Sequence, residues 1–201
     1  MKNALRIRLL ALFLLISVGP QLYAQEGLTD ELKDYFKKSV LNKVKRLEHY
    51  ITLIANKSMD DNLRKSSISQ AVELFEDENR IVQISSLANG KETVIDRPVR
   101  TYFDRLYAIK ADKVVITFYK VTQLTDVRLG PDNKYYATAY IFQDTKIYYK
   151  ESSEVPDYTD VTEKAIDITI KPDTTLVGDK MVVLYPAKLG NINVKETRAT
   201  Q

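Results

Sequence analysis

"ETVIDRPVRTYFDRLYAIKADKVVITFY", residues Glu92–Tyr119, reads as strand, helix and strand without a single glycine. Pro98 suits the first turn of a helix, where its missing N–H costs nothing. Val99, Tyr102, Phe103 and Leu106 follow at i, i+3, i+4 and i+7, which is one helical face. The spacing predicts a short helix from Pro98 to about Ile109, with strands on both sides.

Two longer helices precede it. Leu28-Thr29-Asp30-Glu31 opens the first, with Thr29 able to cap and two acids at the positive helix end. Leu32, Phe36, Val40, Val44, Leu47, Ile51 and Ile54 then form an apolar stripe, opposed by Lys33, Lys37, Lys38, Lys43, Lys45 and Arg46. The second helix begins near Ser58-Met59-Asp60-Asp61 and runs to about Phe75, with Leu63, Ile68, Ala71, Val72 and Phe75 as its apolar positions. "RIVQISSL" (80–87) and "ETVI" are strands joined at Asn89-Gly90, a strong hairpin signal because both residues tolerate positive φ.

Strands fill the rest. "KVVITFYKVTQLTDVRL" turns at Gly130-Pro131-Asp132-Asn133 into "KYYATAYIFQDTKIYYK", with Asp144 read as a turn residue after "IFQ". "ESSEVPDYTDVT" (151–162) is the one sizeable polar loop. "EKAIDITIK" and "KMVVLYP" are two more strands, turning near Gly178, and "GNINVKET" is a strand extension or a tail. Val114, Ile116 and Phe118 alternate with Val115, Thr117 and Tyr119, and the Ala137, Ala139, Ile141 row alternates with Tyr136, Thr138 and Tyr140. One face of each strand is therefore the more apolar.

The amino terminus reads as a signal for export. Lys2, Arg6 and Arg8 precede a ten-residue apolar run, Leu9–Val18, and Leu22-Tyr23-Ala24 ends on a small residue suited to cleavage before Gln25. The run is shorter than the roughly 20 apolar residues that span a bilayer. Residues 1–24 are thus expected to be removed, leaving 25–201 as a single domain that inserts into no membrane. The 201 residues carry 30 basic and 27 acidic side chains, and loss of the three signal cations leaves 27 of each. A neutral domain has no electrostatic footprint for nucleic acid. The absence of cysteine excludes a lipoprotein anchor, disulfides, thiol catalysis and cysteine-ligated metals. The expected location is periplasmic or extracellular.

The order helix, helix, hairpin, short helix, then long meandering strands resembles the NTF2-like (cystatin-like α+β) superfamily. The likeness spans Leu28 to Val194 and rests on that order, the Asn89-Gly90 hairpin and the Pro98-started helix. It implies an α+β fold in the order α-α-β-β-α-β-β-β-β, with the long helices in the concave face of a strongly curved antiparallel sheet and a conical pocket at its open end. The superfamily includes isomerases and dehydratases that seat Asp, His and Tyr around the cone.

The matching chemistry needs a desolvated base and a hydroxyl donor for a developing oxyanion. His49, the only histidine, lies off the main stripe beside Lys45, Arg46 and Tyr50 and has no evident partner. Asp104 has Arg100 one turn earlier, the pattern of a surface ion pair. Asp167 alternates with Ile166 and Ile168, which turns it toward solvent. These three are weak catalytic candidates. The six glycines form no phosphate-binding loop, neither acid run has EF-hand spacing, and there is no paired metal-ligand motif, so no cofactor and no metal is expected. Tyrosine is abundant, with 13 in the chain, and Tyr102, Phe118, Tyr119 and Tyr140 are the candidate pocket residues.

These readings favour an exported, non-catalytic binding module that uses its cone pocket or a sheet face for a small ligand or a protein partner, with a homodimer through the sheet as one use of that face. A small isomerase or dehydratase, and a structural or inhibitory partner of another envelope protein, are the alternatives. A buried carboxylate within reach of a tyrosine hydroxyl is the feature that would favour catalysis.

Overall fold

A computed structural model describes residues 28–88, 91–150 and 152–199. Nearly all of them belong to one compact unit, Glu31–Gln201. The signal-like segment and the Asn89-Gly90 turn lie outside the described residues.

Helix α1 (Asp30–Ala55) buries Phe36, Val40, Val44, Leu47, Ile51 and Ile54, the stripe expected from their spacing. Helix α2 (Asp61–Val72) is capped by Asp60, whose carboxylate accepts from the Leu63 N–H at 3.1 Å. Its inward face differs from the expected one. Leu63 is 41% exposed, while Arg64, Ser67, Ile68 and Ala71 are buried. Arg64 takes the inward position because its guanidinium meets backbone carbonyls at two helix ends. Nε and Nη2 donate to Ile54 O at 3.0 and 2.9 Å, and Nη2 donates to Tyr107 O at 2.9 Å. Carbonyls in the last turn of a helix have no partner within the helix, so a buried cation there is well used.

Strands β1 (Ile81–Ala88) and β2 (Lys91–Pro98) pair antiparallel, from Ile81 with Pro98 to Ala88 with Lys91. Helix α3 (Val99–Tyr107) follows with Pro98 as its N-cap, and its buried face is Val99, Tyr102, Phe103 and Leu106, as the spacing required. Then come β3 (Lys113–Leu124), the two-residue β4 (Arg128–Leu129), β5 (Tyr135–Tyr148), β6 (Tyr158–Ile170), β7 (Asp173–Val177), β8 (Lys180–Leu184) and β9 (Ala187–Ala199).

The main sheet runs β2-β1-β9-β6-β5-β3, with β4 also on β5. The expected antiparallel pairing holds at every junction but one, since β1 runs parallel to β9, with Val82 opposite Ile192. β2 and β3 are the two edges of this path. The short helix between them therefore carries the chain from one edge of the sheet to the other, across its concave side. Register shifts in β3–β5, between Tyr119 and Gln123, and at two points of β6–β9 are bulges of the kind that bend a sheet. Gly190 sits at one of them, where a Cβ would lie 3.0 Å from the Asp167 Cβ.

Three strand expectations change. "GNINVKET" is neither tail nor extension but the middle of β9, a thirteen-residue strand seated between β1 and β6. "KMVVL" is not a strand of the main sheet, because β7 and β8 form a separate two-stranded sheet and every residue of β8 is exposed. Pro186, which has no N–H for a ladder, separates β8 from β9. Asp144 is no turn residue, for it lies inside β5 and pairs with Lys146 at 3.3 Å.

The core lies between α1, the α2–α3 layer and the inward row of the sheet. Phe36 meets the Tyr135 ring of β5 at 5.2 Å, Phe75 meets Phe103 at 6.3 Å, and the Phe118 N–H of β3 donates to Glu48 Oε1 of α1 at 2.8 Å. Ile141, Ile166, Ile168, Ile170 and Leu189 complete it from the strands.

Candidate functional site

Alternate residues of β6 point inward, and this row changes chemistry along its length. Ile170, Ile168 and Ile166 are apolar and fully buried; Lys164, Thr162 and Asp160 continue the row and are equally hidden, at 1–3% exposure, and Tyr158 ends it half-buried. The neighbouring strands change at the same level. On β5, Ala137, Ala139 and Ile141 give way to Gln143 and Thr145, and β9 contributes Thr197. A polar layer thus crosses three paired strands at one end of an apolar sheet face.

Gln143, Thr145, Tyr158, Asp160 and Lys164 of that layer line a cavity of about 520 Å³. Its other walls mix apolar side chains, Tyr102, Leu106 and Ile109 in or just after α3, Val114 and Ile116 of β3, Ile84 of β1 and Ile95 of β2, with Ser85, Ser86 and the cations Arg97 and Arg105. The volume falls within the ordinary range for pockets that hold small organic molecules. The cavity lies where α3 and the residues just after it face the inward rows of the strands.

The polar groups are held in a definite order. The Leu87 N–H donates to the Tyr158 hydroxyl at 3.2 Å, and that hydroxyl donates in a short hydrogen bond to Asp160 Oδ2. Asp160 Oδ1 is buried and has no hydrogen-bond partner among the described residues. Burial pushes the Asp160 carboxyl above its ordinary range; the hydroxyls of Tyr158, Thr145 and Thr162 and the Lys164 charge act more weakly the other way. Burial, and then the bond to Asp160, push the Tyr158 hydroxyl up to about 12. Lys164 Nζ donates to Gln83 O at 3.1 Å, and its burial lowers the ammonium to about 8, against a smaller upward pull from Asp160. The Gln83 side chain is itself tied at both ends, accepting from the Val194 N–H at 2.9 Å and donating to Asp96 at 3.1 Å. Ser85, Thr162 and Thr197 link β1, β6 and β9 through hydroxyl contacts of 3.1 and 3.4 Å.

The residues singled out from sequence are dispersed. Tyr102 is a cavity wall, with its hydroxyl raised by burial. Phe118 is half-buried on the inward row of β3, outside the cavity lining. Tyr119 is 42% exposed and stacks on Phe142 across the strand pair at 5.9 Å, while Tyr140 lies on the same outward row of β5 as Phe142. Asp104 is exposed on α3 and pairs with Arg100 at 3.7 Å, the surface bridge its spacing suggested. Asp167 faces away from the cavity, into a groove with Glu76, Arg80 and Asn191; burial raises its carboxyl, offset in part by Asn193. His49 is exposed in a groove between α1 and β3. The structure brings none of these acids, nor His49, into the cavity with Tyr102.

Tyr158 and Asp160 escape the sequence reading because it assigns 151–162 to a polar loop, and Lys164, though inside the expected strand "EKAIDITIK", carries by itself no sign of which face it takes. A signal was present: Tyr158, Asp160, Thr162 and Lys164 keep the period of two that Ile166, Ile168 and Ile170 establish. Among the described residues, no cluster of three His, Asp or Glu side chains could hold a metal ion.

No family model matches the chain, and no curated protein matches it in sequence. Among solved structures it is similar to a candidate scytalone dehydratase from Novosphingobium aromaticivorans, at a TM-score of 0.42 and 9% identity, over 84% of this chain and 90% of that one. So distant a likeness carries nothing over to the site, and the α+β architecture stands on its own strand order.

Proposed function

We propose that the protein binds a small, mostly apolar organic molecule in the α3-covered cavity, with the polar end of that molecule on Asp160. One observation carries the reading. Asp160 Oδ1 is a buried acceptor that no donor meets with full hydrogen-bond geometry, although the Thr145 and Thr162 hydroxyls lie near enough to favour its charged form, and it sits on a cavity walled largely by apolar side chains with Arg97 and Arg105 also on the lining. Leaving such an atom unmet costs about 1–3 kcal/mol, a cost that a ligand's hydroxyl or N–H would remove. Export of the chain, expected from residues 1–24, would make the ligand a molecule of the envelope or its surroundings.

A second reading, proton transfer on the bound molecule, is favoured by the Tyr158–Asp160 pair. Burial that raises a carboxyl makes it a better base, and a neighbouring hydroxyl can stabilise a developing oxyanion.

A panel of aryl and alkyl alcohols tests the binding reading. The chain has no tryptophan, so the fluorescence of a naphthyl alcohol reports on the probe alone. Saturable one-site binding is expected, weakened about tenfold in Asp160→Asn, since one lost hydrogen bond is worth about 1.4 kcal/mol. Failure of every alcohol to bind the folded wild-type protein would remove the proposal.

A further inference from the structure

We propose that Lys164 captures carbonyl compounds, forming a reversible imine with an aldehyde or ketone whose apolar body fills the cavity. The inference rests on the cavity being a binding site, and names the ligand's chemical class.

Lys164 differs from the chain's surface lysines. Lys65 and Lys134 reach exposed carboxylates at 2.6 and 2.9 Å, and these bonds raise their ammonium groups above the ordinary lysine value. Lys164 is 3% exposed and lines the cavity, and its Nζ is directed by a backbone carbonyl, Gln83 O. Its carboxylate neighbour is already engaged by Tyr158. Burial brings the ammonium down to about 8, so about a tenth of the amine is unprotonated at pH 7 and about half at pH 8. Desolvation of an amine in an apolar pocket is an established route to a nucleophilic lysine.

The atoms balance without an oxidant or cofactor. The Nζ lone pair adds to the carbonyl carbon, and the amine proton passes to the oxygen to give a carbinolamine. A second proton, taken up from solvent, lets that oxygen leave as water while C=N forms as the iminium, which returns the proton on becoming the imine. Addition of water reverses each step. The Thr145 and Thr162 hydroxyls flank Asp160 at the same level.

Reduction with cyanoborohydride in the presence of 2-naphthaldehyde, at about pH 8, tests the inference on the wild-type chain, with 2-naphthylmethanol as the matched ligand that cannot form an imine. Peptide mapping is expected to find the naphthylmethyl group on Lys164 at about tenfold or more the level of any exposed lysine, given their difference in unprotonated fraction. The labelling rate should rise through about pH 8 rather than through the ordinary lysine range. Lys164→Arg should lose the dominant label, and a native-like urea unfolding curve for that variant would assign the loss to the missing amine. Alcohol binding without preferred label on Lys164 would overturn the imine and leave the cavity reading standing. Failure of both alcohol and aldehyde to bind would overturn both.

Discussion

Two buried cations divide the molecule. Arg64 sits where α1, α2 and α3 meet, and Lys164 sits on the polar inward row of β6. Both are under 10% exposed. Arg64 is saturated: it gives three hydrogen bonds to the carbonyls ending two helices, and its guanidinium lies 4.4 Å from the Tyr107 ring centroid. Lys164 and its neighbour Asp160 are not, since the carboxylate keeps one oxygen unmet and the lysine is held well below its ordinary pKa. A saturated buried charge fixes a fold. An unsaturated one on a cavity wall weakens the fold, a cost that the proposed ligand would offset.

The contrast can be broken at its strongest point first. Arg64→Ala removes the donor and strands two buried carbonyls, and should cost about 3–5 kcal/mol in urea unfolding. A loss below about 1 kcal/mol would mean that water replaces the guanidinium and that Arg64 is no keystone.

Lys164→Met should do the opposite. Between about pH 8 and the ordinary lysine value of 10.5, the unfolded chain binds a proton that the folded one has released, so wild-type stability rises with pH across that window. The variant lacks this rise. It should exceed wild type by about 3 kcal/mol at neutral pH, and the gap should close as pH approaches about 10.5. Equal stability of the two proteins at all pH values would show Lys164 to be better solvated than its burial implies.

The smallest effect belongs to the separate hairpin. Leu176, 64% exposed, faces Met181 across β7–β8. Leu176→Thr should change unfolding stability by less than about 0.5 kcal/mol, because little area is removed from water there. A loss several times larger would mean that the hairpin is covered in solution.

Sequence pattern was informative wherever one periodicity ran without interruption. The α1 stripe and the α3 face came out residue by residue, because apolar side chains at helical spacing line up along a single side of the helix, and that side must leave water. Arg64 shows the limit, since a long cation beside Leu63 looks solvent-facing until two helix ends are known to converge on it. Asp160 and Lys164 were hidden for a related reason. A polar residue on the inward row of a strand has the same spacing as one on the outward row, and only the pairing of β5, β6 and β9 tells them apart. The place of β9 depends on residues more than a hundred positions away, Val82 opposite Ile192, which no local pattern encodes.

That long reach governs how the molecule is assembled. Until Ala187–Ala199 is made, the early hairpin and the β3–β6 meander have no shared ladder, and each presents a bare edge. The last strand is the bolt between two half-built walls. Contacts so remote in the chain slow the search for the native state and leave no self-sufficient half along the way.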